Sequence, residues 1–184
     1  MRPEHLLLAL ASALALCSCA TLNESECRTT DWYQLGARDG AAGSARTRVE
    51  AHREACAEFG LPADDAAWVQ GYEAGLVDYC TADNGYRVGR QGGGYGRVCP
   101  AQDEREFLAA YELGRETYNV EREIAELDRR AESLQQRLVS SKLDDDTRRE
   151  LRRQLSDVYS RGNWMRRSLD RLDREWRRRP GTTY

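Results

Sequence analysis

Apolar residues recur at alternating steps of four and three in two stretches of the C-terminal half. This spacing places them along one seam of an amphipathic helix, as in a coiled coil. Between the stretches, three acids at residues 144–146 are typical of a new helix start, and Thr147-x-x-Glu150 matches a capping box. The pattern predicts an antiparallel coiled-coil hairpin over residues 119–179. Its seam residues are Val120, Ile124, Leu127, Ala131, Leu134 and Leu138, then Leu151, Leu155, Val158, Gly162, Met165, Leu169, Leu172 and Trp176.

The front half carries a different pattern, in which an aromatic residue precedes glycine by three, four or seven positions. Trp32 precedes Gly36, and Trp68 precedes Gly71 and Gly75. These spacings place ring and glycine on one helix face. Because glycine in a helix costs about 1 kcal/mol relative to alanine, close approach of two helix backbones is the expected compensation. A ligand groove lined by Trp32 and Trp68 is the alternative.

Cap residues and helix breakers divide this front region into short helices. They predict helices over residues 31–43, 44–59 and about 64–79. The glycine-rich stretch 84–97 is predicted to be a structural loop whose glycines adopt positive φ. The expected fold is therefore mainly α, with a small disulfide-stapled helical domain at residues 27–118 followed by the hairpin.

The first residues follow the pattern of an exported bacterial lipoprotein. Leu6 to Leu16 is an apolar run, too short to span a bilayer but suited to a signal peptide over residues 1–18. It ends in Leu16-Cys17-Ser18-Cys19, which resembles a lipobox whose last cysteine receives acyl chains such as palmitate. Residues 19–26 would form a lipidated tether, and Ala20 after the cysteine favours the outer membrane in such lipoproteins. An ordinary signal peptide cut elsewhere is the alternative.

With Cys19 assigned to lipid, four cysteines remain after the leader, in a compartment where disulfides persist. Four cysteines allow three pairings. If consecutive helices pack antiparallel, the start of the first predicted helix lies beside the end of the second, which favours Cys27 with Cys56 and leaves Cys80 for Cys99. Neither a Cys-x-x-Cys pair nor histidines at ligand spacing occur, so we expect no metal and no other cofactor.

A series of cysteines, glycines and aromatic residues runs through the front half: Cys27, Asp31-Trp32-Tyr33, Gly36, Asp39-Gly40, Gly43, Cys56, Gly71, Gly75-Leu76, Tyr79-Cys80, Asn84-Gly85, Gly89, Gly92, Tyr95 and Val98-Cys99-Pro100. This series resembles a known family, the bacterial envelope lipoproteins grouped as domain-of-unknown-function family 2799. The resemblance spans residues 27–118, about half of the chain. It implies a Gram-negative lipoprotein and brings no activity, because the family has none assigned. The hairpin and a short tail at residues 180–184 lie beyond it.

Charge and histidine content restrict the function classes. Residues 19–103 carry 8 basic and 13 acidic side chains, whereas residues 121–184 carry 17 and 13. A net charge of −3 argues against a nucleic-acid binder. His52 is the only imidazole after the leader, which leaves little for acid–base catalysis. A hydrolase would have to use carboxylates such as Asp64 with Asp65 or Asp39 with Asp78.

We therefore expect an outer-membrane lipoprotein, facing the periplasm, that acts as a structural or protein-interaction module without catalysis. A protein partner would bind through the hairpin. The alternative is a ligand-binding module in which Trp32, Trp68 and the arginines of the glycine-rich stretch contact an anionic lipid or a peptidoglycan fragment. Those arginines are Arg87, Arg90 and Arg97.

Overall fold

A computed structural model describes residues 21–140 and 142–179. These residues are mainly helical and contain seven helices and no strand. The chain divides into two compact units, Met1–Gly75 (unit 1) and Leu76–Tyr184 (unit 2). The predicted signal peptide over residues 1–18, the predicted lipidation site Cys19 and the tail at 180–184 lie outside the described residues. The helices are α1 (Glu24–Thr29), α2 (Trp32–Ala41), α3 (Arg48–Ala57), α4 (Asp65–Tyr79), α5 (Ala82–Arg90), α6 (Ala101–Leu138) and α7 (Asp145–Arg177).

Several helices begin where a side-chain oxygen accepts a free backbone N–H. The Asp31 carboxylate accepts from the Gln34 N–H at 3.0 Å at the start of α2, and Asp64 accepts from the Ala67 N–H at 2.9 Å beside the start of α4. α2, α3 and α4 lie within the three predicted helices. These starts follow directly from cap chemistry that is visible in the sequence.

Two segments differ from the sequence-based predictions. α1 begins inside the stretch assigned to a tether, residues 19–26, and continues beyond it to Thr29, and Leu22 before the helix is buried. The described part of that stretch therefore belongs to unit 1. The prediction of a loop throughout 84–97 is wrong for its first half, since α5 extends to Arg90. Of the glycines in that stretch, Gly92 is the one with positive φ, at 76°.

In unit 1, α2 and α4 cross at glycines, with their backbones in direct contact. A Cβ atom added to Gly36 would overlap the Trp68 carbonyl and lie 2.9 Å from the Tyr72 nitrogen. A Cβ added to Gly71 would overlap the Tyr33 carbonyl in the same way. Real Cβ atoms do not come this close to backbone atoms, so both helices need glycine at the crossing.

Unit 2 contains the same crossing between α5 and α6. A Cβ on Gly89 would overlap the Tyr111 carbonyl and lie 2.9 Å from the Arg115 nitrogen, and one on Gly114 would overlap the Tyr86 carbonyl. The cysteines and the crossing glycines have the same spacing in both units. The first crossing glycine lies nine residues after the first disulfide cysteine, and the second crossing glycine lies fifteen residues after the second cysteine. The pairs are Cys27 with Gly36 and Cys56 with Gly71, then Cys80 with Gly89 and Cys99 with Gly114.

Each unit also holds one disulfide. Cys27 is bonded to Cys56 in unit 1 and Cys80 to Cys99 in unit 2, across sequence separations of 29 and 19. This is the pairing that the helix order favours. On the chain-entropy account, loops of these lengths each stabilise by about 3 to 4 kcal/mol. The disulfides therefore help to stabilise two units that are too small for large cores.

The rest of unit 2 is a long hairpin formed by α6 and α7. All fourteen predicted seam residues are buried or partly buried. The two helices of the hairpin are antiparallel. Near the turn, the Leu138 carbonyl accepts a hydrogen bond from Arg148, and far from the turn the Ala109 carbonyl accepts one from Arg179. The coiled-coil character that the seam suggests stays a prediction.

The two ends of the hairpin differ from the sequence-based prediction. α6 begins at Ala101, so the junction predicted at residues 118 and 119 falls inside a continuous helix. α7 is capped by Asp144, which accepts from the Thr147 N–H at 2.8 Å. The predicted capping box is therefore wrong, and Glu150 instead accepts a hydrogen bond from Gln154 at 2.9 Å. Acceptance of hydrogen bonds from Thr147 lowers the pKa of Asp144.

The crossing in unit 2 predicts whether a single substitution raises or lowers the free energy of unfolding. Gly89→Ala should destabilise the protein by about 3 kcal/mol through overlap with the Tyr111 carbonyl, although alanine would by propensity alone stabilise a helix by about 1 kcal/mol. Urea unfolding of the oxidised protein, followed by circular dichroism, measures the difference. Gly94→Ala is the matched control, because nothing lies within 4 Å of its added Cβ. A Gly89→Ala protein as stable as the parent would contradict a close crossing.

Candidate functional site

A buried polar cluster lies beside the glycine crossing of unit 1. The Asp39 carboxylate on α2 accepts from the Trp68 indole N–H of α4 at 3.0 Å. It also lies 2.9 Å from Nε2 of His52 and 3.0 Å from Nε of Arg48, both on α3. Three elements thus meet at one carboxylate. We call this group, with Thr21, the Asp39–His52 centre.

His52 has a partner on each ring nitrogen, and only 2% of its surface is exposed. Because an ionised carboxylate can only accept, Nε2 carries the proton towards Asp39. Nδ1 lies 2.8 Å from the Thr21 hydroxyl. That hydroxyl donates to Nδ1 of a neutral ring or accepts from the N–H of a charged one. Both protonation states of His52 therefore satisfy its hydrogen bonds, with Thr21 as the adaptable partner.

Unit 2 lacks this centre although it has the same crossing. Twelve residues after the first disulfide cysteine, unit 1 has Asp39 and unit 2 has Gly92. Four residues before the second cysteine, unit 1 has His52 and unit 2 has Tyr95. The Tyr95 hydroxyl donates to Glu104 and accepts from the Cys99 N–H, each at 3.1 Å. Burial raises the pKa of Tyr95. The polar centre is therefore an addition specific to unit 1 and is not required by the crossing.

Hydroxyl, imidazole and carboxylate stand here in the order that hydrolases use for nucleophilic catalysis. The surroundings differ from such a site, because the carboxylate is also held by Trp68 and Arg48 and the imidazole is almost fully enclosed. The geometry is that of a satisfied buried network, which fixes the positions of the segments that meet in it. The two ends of the network differ in position, because Thr21 lies in the segment before α1 and Asp39 lies within α2.

Sequence reasoning noted both Asp39 and His52 but did not join them. It grouped Asp39 with Asp78, which is exposed on α4. Of the other carboxylates proposed for hydrolysis, Asp64 contributes to the start of α4, and Asp65 forms an ion pair with Arg53. The available signal was an acidic residue three positions after Gly36, on the face that the glycine turns towards another helix.

The tryptophans suggested for a ligand groove are packed inside unit 1. Trp68 has no exposed surface and Trp32 is 9% exposed. Trp68 stacks on Tyr72 with ring centroids 4.8 Å apart, while its N–H is bonded to Asp39. A ligand could reach Trp68 only if α2 and α4 separated. The backbones of α2 and α4 therefore approach closely, as the spacing of aromatic residues and glycines favoured.

The three arginines suggested for anion contact have different surroundings. Arg87 donates to Asn84, and Arg97 is exposed with a φ of 55°. Arg90 is engaged within unit 2, since it donates to the Tyr86 hydroxyl and pairs with Glu121 and Asp173. Burial opposes its charge, but these partners outweigh burial and raise the pKa of Arg90. Arg90 is thus already committed to internal contacts.

In residues 21–140 and 142–179, no group of three or more His, Cys, Asp or Glu side chains could hold a metal ion. No helix in them is long and apolar enough to cross a membrane. A cleft of about 420 Å³ lies along the hairpin, and charged side chains such as Arg122, Glu126 and Arg161 form most of its lining. A small-molecule site usually has apolar walls.

A known family model matches parts of both units and stops near the start of the hairpin. Residues 31–116 match the model of a family described as "Protein of unknown function (DUF2799)". This match supports the domain of unknown function that the cysteine and glycine pattern resembles. It contains both glycine crossings and ends within α6. Searches of curated proteins and of solved structures found no significant match.

The Asp39–His52 centre predicts a large loss of stability when its carboxylate is removed. Asp39→Ala would leave the N–H groups of Trp68, His52 and Arg48 without their acceptor, at a cost of about 3 kcal/mol. Trp68→Phe would remove one hydrogen bond, at about 1 kcal/mol. Both are measured by urea unfolding of the oxidised protein. Asp78→Ala, on an exposed carboxylate, should be neutral, and equal stabilities for Asp39→Ala and Asp78→Ala would refute a structural role for the centre.

Proposed function

We propose that this protein is an outer-membrane lipoprotein, anchored through Cys19 and facing the periplasm, that acts as a protein-interaction module without catalysis. The leader pattern and the envelope family that the sequence resembles support the anchor. The disulfides agree with an oxidising compartment. The hairpin supplies the surface for the partner.

One observation carries the interaction role: a large aromatic side chain is exposed on the outside of the hairpin. Trp164 of α7 is 57% exposed. Arg167 and Arg171 follow it by three and seven residues, and Arg174 and Arg178 continue the same side of the helix. All four arginines are exposed. We call these five residues the Trp164 face.

The arginines of this face differ from others on the same helix. Arg149 and Arg153 pair with acids one turn away on α7, and Arg161 and Arg166 pair with acids of α6 across the hairpin. Within the described residues, no arginine of the Trp164 face forms an ion pair with an acid. The charges of the face are therefore available to a partner.

Tryptophan and arginine are the residues that most often dominate the energy of protein interfaces. A complementary surface would offer an apolar recess for the Trp164 ring and carboxylates for the guanidinium groups, which bind carboxylates in a bidentate manner. The proposed partner is accordingly an acidic protein surface. The ligand-binding alternative is weaker, because Trp68 is enclosed and Arg90 is engaged within unit 2.

The anchor predicts the behaviour of a single variant. Cys19→Ala should release the protein from the membrane fraction, because no helix among the described residues could span a bilayer in place of the acyl chains. Fractionation of outer membranes, with detection of the protein by immunoblot, measures the distribution. Cys17→Ala is the control and should remain anchored. Sedimentation of Cys19→Ala with outer membranes would refute the lipobox assignment.

The Trp164 face predicts a partner contact that depends on both tryptophan and arginine. A photoreactive amino acid at the exposed position 163 should give a protein crosslink of discrete mass in living cells. Trp164→Ser, or Arg167→Gln with Arg171→Gln, should abolish it. Arg149→Gln with Arg153→Gln is the matched control, because these arginines already pair within α7. Crosslinks that go only to lipid, or that survive all these changes, would contradict a protein partner.

A further inference from the structure

The segment of residues 21–27 is fixed to unit 1 at three points, Thr21, Leu22 and Cys27. The Thr21 hydroxyl lies 2.8 Å from His52, and the Leu22 side chain is buried. Asn23 and Glu26 form a reciprocal capping box at the start of α1, and Cys27 is bonded to α3. The chain is therefore part of the fold from Thr21 onward.

The Asp39–His52 centre occurs in unit 1 and not in unit 2. Unit 2 builds the same crossing without an acid or an imidazole at the equivalent positions. The residue six before the first disulfide cysteine of unit 1 is Thr21, whereas the residue six before Cys80 is Ala74, which lies inside α4 and still belongs to unit 1. Only unit 1 has a separate N-terminal segment to hold. The centre is thus present in the unit where a chain segment must be fixed to α3.

The distance between this fixed segment and the anchor is short. Cys19 precedes Thr21 by two residues, which span about 7 Å even when fully extended. A lipid surface that holds the acylated Cys19 must then lie next to the Thr21 side of unit 1.

We propose that the Asp39–His52 centre seats unit 1 directly on the lipid bilayer, so that its Thr21 side is a membrane-contacting surface rather than the end of a flexible tether. This inference rests on the proposed lipid anchor. It adds a defined orientation, because a segment held at Thr21, Leu22 and Cys27 does not swivel about a loose linker. The occupant of this surface is the bilayer that carries the acyl chains.

The test uses the full lipidated protein in vesicles of phosphatidylethanolamine and phosphatidylglycerol. A fluorescent amino acid replaces the exposed Ser25 on α1, and a nitroxide on the lipid headgroups quenches it at short range. We expect strong quenching in the parent. Insertion of twelve Gly and Ser residues between Ala20 and Thr21 gives a linker of about 20 Å and should abolish most of the quenching.

Two matched threonine variants test the role of the centre. Thr21→Val removes the hydroxyl that binds His52 and should reduce quenching measurably, but by less than the inserted linker, because Leu22 and Cys27 still hold the segment. Thr29→Val is the control, because the Thr29 hydroxyl binds only the Ser25 carbonyl of its own helix, and it should quench like the parent. Circular dichroism and disulfide mapping verify that each variant is folded.

The outcomes separate this inference from the anchor on which it rests. Failure of the parent to float with the vesicles would refute the lipid anchor. A parent that floats but is quenched no more than the linker variant would refute direct seating while leaving the anchor intact. Parent-like quenching of Thr21→Val would remove the Asp39–His52 centre from the proposal.

Discussion

Two helices can cross with their backbones in contact only where neither carries a side chain at the crossing, and this constraint shapes both units. Gly36 and Gly71 meet that condition in unit 1, and Gly89 and Gly114 meet it in unit 2. Glycine weakens each helix in isolation, so tertiary contacts have to stabilise it. Aromatic rings beside the glycines and one disulfide in each unit provide those contacts.

The two units show which features the crossing requires and which it merely permits. Glycine and cysteine recur at the same spacings, so these residues define the arrangement. The adjoining polar positions are free to differ, with Asp39 and His52 in one unit and Gly92 and Tyr95 in the other. A buried ionisable cluster is costly unless every donor has an acceptor. Because the cluster is present only in unit 1, we connect it with the N-terminal segment at Thr21, which only unit 1 has to hold.

Much of the fold follows from local rules in the sequence. Caps such as Asp31 predict where helices begin, and the seam from Val120 to Trp176 predicts the hairpin because its period is regular over many turns. Antiparallel helix order favours the observed cysteine pairing. These features depend on neighbours in sequence, or on one simple packing rule.

The features that sequence reasoning missed depend on contacts that are distant along the chain. α5 was predicted to be loop because it is rich in glycine, but Gly85 and Gly89 face α6 and allow its close approach. α1 is a single short helix held by Cys27, which periodicity cannot detect. Joining Asp39 to His52 requires knowledge of how α2 and α3 are placed. For α5, tertiary packing overrides local propensity.

The equal spacings in the two units have a consequence for reading related sequences. Between the first glycine and the second cysteine, unit 1 contains ten more residues than unit 2, yet the same backbone atoms meet at the crossing. Chain length is thus free to vary in that interval and is constrained elsewhere. A cysteine with glycine nine residues later, followed at any distance by a cysteine with glycine fifteen residues later, becomes a signature by which this crossing is recognisable from sequence alone.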